Sequence, residues 1–222
     1  MTHTVSAPTS AVRGLAPWQL ALLVTAPVVA LVARLLNTPW YQKDDDQPDH
    51  ARVLTDMAAN TLANDIGAQL TLVSGMLYAV TAVVLGLWLR DRMPRVASAG
   101  LILGAIGGFG LATFAGQLVV IGQAAGLEEH RPAMIVLLEK SYDSPQSGLS
   151  YMLLVLGALG WVLLGVALYR SHAVPRAAAV LAAIGGAGVM LTAPGPLVSF
   201  IAGAAFVSLL GLAWTAASLK ER

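Results

Sequence analysis

The chain has 222 residues, of which 57% are hydrophobic and only 11% charged, and its mean hydropathy is +0.72. That balance excludes a water-soluble domain, which needs more polar surface to cover its core. A net charge of +1 excludes the broad basic field of a nucleic-acid-binding protein, and the absence of cysteine excludes disulfides, thiolate metal sites and cysteine nucleophiles.

Residues 1–14 form a polar tail with a single Arg13, expected on the cytoplasmic side. The apolar block that follows is long enough to span and lacks a small-residue cleavage site, so it reads as a retained helix. Blocks of roughly 20 apolar residues cross ~30 Å of hydrocarbon. They predict an all-α polytopic bundle of six transmembrane helices, at 15–36, 69–89, 97–121, 149–169, 177–193 and 197–218. These make one transmembrane domain, 15–218, and 219–222 is a second cytoplasmic tail. The fifth block is the shortest and suits a thin or tilted crossing.

Charge orients the bundle. Arg90, Arg92 and Arg95 lie between the second and third blocks, Arg170 and Arg176 between the fourth and fifth, and Arg13, Lys220 and Arg222 at the two ends. With six crossings all of them fall on one face, which the positive-inside rule makes cytoplasmic. The opposite face then holds the segments 37–68 and 122–148 and the corner Pro194-Gly195-Pro196, and it is acidic through Asp44, Asp45, Asp46 and Asp49.

Within those outer segments, 52–69 contains no Pro and predicts a helix leading directly into the second span. In 132–140, Pro132 suits a first helical turn and the apolar stretch is too short to span, which predicts an interfacial or re-entrant helix across the outer mouth.

Residues 85–113 and 164–192 resemble each other: each has a span end, a basic turn closing on Pro-Arg, then Ile-Gly-Gly-x-Gly and a later Thr. Both run in the same sense, so spans two and three would repeat as spans four and five about an axis along the membrane normal. The glycines of those spans, with Gly157, Gly160 and Gly165 on the fourth, are expected to bring helix backbones close together.

No span carries an ionisable group near its centre, which argues against a charged proton relay. Arg34, near the outer end of the first span, is expected to snorkel outward to a loop aspartate, with anion binding as the alternative. Asp56, Asn60 and Asn64 repeat every four residues, with Asp65 and Gln69 beside them, a stripe that is either the wet face of a lead-in helix or the lining of a pocket. Asn60, Asn64, Gln69, Gln117 and Tyr151 are the candidate ligand contacts. Hydroxyls and amides elsewhere in the spans, including Ser74, Thr81 and Thr113, are expected to bond their own helix carbonyls.

Asp46, Asp49 and His50 with Glu128, Glu129 and His130 match no metal-ligand spacing, so neither a metal nor another cofactor is expected. No nucleophile elbow, metalloprotease helix or phosphate-binding loop occurs. Catalysis, if present, would fall to outer carboxylates able to act as general acids: Asp56, Asp65, Glu128, Glu139 or Asp143.

The stretch Leu168-Tyr-Arg-Ser-His-Ala-Val-Pro-Arg176, together with Trp88-Leu-Arg-Asp-Arg-Met-Pro-Arg95 and Met134-Ile-Val-Leu-Leu-Glu139, resembles uncharacterised actinobacterial six-span proteins of the domain-of-unknown-function class. The resemblance runs from about residue 45 onward. It implies a six-helix bundle in the bacterial inner membrane and brings no activity with it. Three functions fit: binding of a small lipophilic molecule in a pocket open to the outer face, a membrane-embedded cyclase or isomerase acting on a polyketide, isoprenoid or lipid, or a subunit that packs against a membrane-protein partner or a second copy.

Overall fold

A computed structural model describes residues 15–37, 49–142, 144–191 and 198–220, and no strand occurs among them. The helices are α1 (Pro17–Leu36), α2 (His50–Ala59), α3 (Thr61–Leu89), α4 (Pro94–Ala125), α5 (Arg131–Tyr142), α6 (Pro145–Arg170), α7 (Arg176–Leu191) and α8 (Val198–Lys220). A single 3-10 turn, Glu128–His130, precedes α5. Asp44, Asp45, Asp46, Asp143, the Pro194 to Pro196 corner and both tails lie outside the described residues.

Local chemistry sets the helix starts. Pro opens α1, α4 and α6, where its missing N–H is no loss. Gln19 folds its carbonyl oxygen back onto the amide of Ala16 at 2.7 Å. Asp49 caps α2 by accepting from the amide of Arg52 at 3.1 Å, and Ser144 caps α6. The expected continuous helix over 52–69 is divided: at Asn60 the backbone turns to φ −126°, ψ 38°, ending α2 and starting α3.

Among the described residues five helices, α1, α3, α4, α6 and α8, are long and apolar enough to cross a membrane. With 16 residues, α7 is about 24 Å long at 1.5 Å per residue, less than the ~30 Å of a hydrocarbon core. It is as apolar as its neighbours and holds a full place among them.

The six longer helices close into a ring: α1 packs on α3, α3 on α4, α4 on α6, α6 on α7, α7 on α8, and α8 returns to α1. Close backbone approach makes this possible. Gly107 lies against Gly157, Gly104 against Gly160 and Gly100 against Leu164, in an antiparallel α4–α6 register. A Cβ on Gly75 would stand 2.7 Å from the carbonyl of Gly108, and one on Gly186 about the same from the indole of Trp161. In a bilayer, where lipid tails are as apolar as leucine, such contact is what drives helices together.

One end of the ring carries a cap. Val53, Leu54 and Met57 of α2 bury themselves against Ala125 of α4 and Leu138 of α5, forming a small core separate from that of the ring. The opposite end carries the α3–α4 and α6–α7 turns with their arginines.

Candidate functional site

The ring turns a polar stripe inward on α3. Asn64, Thr71 and Tyr78 are spaced by seven residues, and Ser74 and Thr81 follow Thr71 and Tyr78 by three, so all five share one face. All five are buried.

Most of the stripe is satisfied locally. Asn64 donates to the carbonyl of Asn60 at 2.9 Å, Thr71 to Gly67 at 2.8 Å, Ser74 to Thr71 at 2.8 Å and Thr81 to Leu77 at 2.7 Å. Thr113 likewise bonds Gly110 at 2.8 Å, so the hydroxyls at 74, 81 and 113 behave as expected of span hydroxyls. Two members of the stripe reach other helices. Asn37, at the end of α1, donates its amide to the Thr71 hydroxyl at 3.1 Å and so ties α1 to α3 at the capped end. Tyr78 pairs its hydroxyl with that of Ser208 on α8 at 2.8 Å.

Around Tyr78 the interior becomes polar and aromatic. Its ring meets that of Trp161 on α6 edge-on, with centroids 5.4 Å apart and planes at 80°. Gly186 of α7 lies against the indole, where no larger residue would fit. Trp161 is 1% exposed, and its Nε1 has no hydrogen-bond partner among the described residues. A buried N–H without an acceptor is destabilising by about 1–3 kcal/mol, and such groups are rare in folded proteins. Arg34 of α1 is 7% exposed.

Arg34 is buried in the last turn of α1. Asp44, Asp45 and Asp46, three of its expected partners, lie outside the described residues, and Asp49 is occupied in capping α2.

The predicted outer stripe is dispersed by the break at Asn60. Asn64 is buried and Asp56 half-buried, while Asn60, Asp65 and Gln69 are exposed. Asn60 spends its amide on the carbonyl of Asp56 at 3.1 Å. Gln117 is half-buried and Tyr151 exposed, at the capped ends of α4 and α6. Among the carboxylates, Glu128 and Glu139 are exposed, Glu128 pairs with Arg131 at 3.8 Å, and Asp143 lies outside the described residues.

Tyr78, Trp161, Ser208, Thr71 and Asn37 are absent from the sequence-predicted set. A signal for two of them exists in the sequence: Tyr78 and Trp161 sit well inside spans, away from the membrane interfaces where amphipathic rings concentrate, and each carries a polar handle that needs a partner when buried.

Neither the curated proteins nor the solved structures include a match to this chain. The model of a domain of unknown function, DUF4386, matches residues 20–219, nearly all of the ring and its cap, and the chain therefore belongs to that family.

Proposed function

We propose that this is a six-span protein of the bacterial inner membrane, with both termini cytoplasmic, that binds a small lipophilic molecule within its ring through the capped, outer end. The observation that carries the proposal is the buried Trp161 Nε1, a donor without an acceptor, beside the Tyr78–Ser208 hydroxyl pair. An apolar molecule bearing one acceptor oxygen supplies what Trp161 lacks. Asn64 and Thr71 continue the polar face of α3 toward the cap, and Asn60, Gln69, Gln117 and Tyr151 are proposed at the entrance. The bundle's basic turns at one end and its cap at the other support the orientation.

The parallel repeat of α3–α4 and α6–α7 is proposed from the sequence match, and in each pair one glycine makes a close approach to the next helix, about a turn apart in the repeat's register. Gly86 of α3 lies against Leu101 and the Ala97 carbonyl of α4, and Gly165 of α6 lies against Ala183 and the Ala179 carbonyl of α7.

The test is binding of a dansyl-labelled fatty acid, read by energy transfer from tryptophan in detergent micelles. Saturable binding is expected, weakened by Trp161→Phe and by Ser208→Ala. Leu154→Ala leaves a comparable void in the same core without touching the donor, and is expected to bind as the native chain does. Equal binding by all three variants, or none by the native chain, overturns the proposal.

A further inference from the structure

The arginine end of the ring has a chemistry that the interior does not use. The α4–α6 register that sets Gly107 on Gly157, Gly104 on Gly160 and Gly100 on Leu164 carries on to bring the start of α4, with Arg95, level with Tyr169 and Arg170 at the end of α6. The two basic turns are therefore neighbours. Arg90, Arg92 and Arg95 come from one, Arg170 and Arg176 from the other, and Asp91 is the one carboxylate in either turn.

Each turn holds a guanidinium on an aromatic ring at a span end. The Arg92 guanidinium carbon lies 4.5 Å from the centroid of Trp88, and that of Arg176 lies 5.4 Å from the centroid of Tyr169. Trp and Tyr at span ends sit at the level of lipid headgroups, and stacking fixes a guanidinium there with its donor edge free to meet an oxyanion. Arg92 Nη1 is buried and has no hydrogen-bond partner among the described residues. None of these five arginines forms an ion pair among the described residues.

The geometry points to a binding site for an anionic phospholipid at this end, one phosphate at each turn, so that a headgroup with two phosphates, as in cardiolipin, spans both. Phosphate oxygens accept from the planar guanidinium edges in pairs, and the acyl chains follow the apolar outer surfaces of α4 and α6. The membrane itself supplies this ligand, and the site is separate from the interior around Trp161.

Native mass spectrometry of the protein in mild detergent, titrated with cardiolipin, phosphatidylglycerol and phosphatidylcholine, tests the assignment. Cardiolipin is expected to bind most tightly and phosphatidylcholine least. Each arginine near a charged membrane surface contributes such that Arg95→Gln weakens cardiolipin binding about five-fold and the Arg92→Gln, Arg176→Gln pair roughly 25-fold. Arg95 is exposed, so its substitution leaves the fold intact even if the double variant aggregates. Lys140→Gln, at the capped end, is expected to bind as the native chain does. Equal binding of phosphatidylcholine, unchanged cardiolipin affinity in Arg95→Gln, or full displacement of cardiolipin by inorganic phosphate overturns the proposal, the last by making the ligand a soluble anion.

Discussion

The hydroxyl oxygens of Tyr78 and Ser208 lie 2.8 Å apart although their residues are 130 positions apart in the chain, which bridges α3 to α8 across the ring, with α1 packed on both. Double-mutant cycles within membranes give such bonds about 0.6 kcal/mol on average and about 1.7 at most. Ser208→Ala is expected to destabilise the protein by about 1 kcal/mol, since the tyrosine hydroxyl loses its hydrogen-bond partner. Tyr78→Phe combined with Ser208→Ala should then fall short of the sum of the single effects. Denaturation in mixed micelles measures both, and strict additivity would show that the pair is not coupled.

The α4–α6 seam predicts a sharp difference between two glycines on one helix. A side chain on Gly107 would run into the backbone of Gly157, whereas nothing lies within 4 Å of a Cβ at Gly116. Gly107→Leu is expected to destabilise by about 3 kcal/mol or to prevent folding, and Gly116→Leu to change stability by less than about 0.5 kcal/mol. Thermal unfolding followed by size-exclusion chromatography distinguishes them.

The cap is expected to open independently of the ring, because its core of Val53, Leu54, Met57, Ala125 and Leu138 is separate. Leu54→Ala removes a fully buried side chain, at about 2–5 kcal/mol, and should speed amide exchange in α2 and α5 while leaving α4 and α6 protected. Faster exchange throughout the ring would mean that cap and ring unfold as one unit.

Because the chain has no cysteine, single introduced thiols report sidedness without background. Glu128→Cys is expected to react with a membrane-impermeant maleimide in intact cells, and Arg95→Cys and Lys220→Cys only after permeabilisation. Lys220→Cys labelling from the opposite side to Arg95→Cys would show that α7 does not cross.

Much of this architecture is written in the sequence by itself. Apolar blocks interrupted by Pro94, Pro145 and the arginine turns mark α1, α3, α4, α6 and α8 to within a few residues at most ends, and α3 and α4 run on beyond their apolar blocks. Pro132 opens a short helix as its position suggests, and the clustered glycines sit where helices touch. What only the tertiary structure decided is which face of each helix turns inward. In water an apolar stripe marks the buried face, but in lipid the surroundings are as apolar as the core, so the pattern carries little sign of direction. Hence Asn64, Thr71 and Tyr78 were not legible as one interior face, and the stripe of Asp56, Asn60 and Asn64 is interrupted by a backbone turn at Asn60 that no residue pattern announced. The meeting of Tyr78, Trp161 and Ser208 comes from closure of the ring, which brings together side chains on α3, α6 and α8 that no local pattern relates.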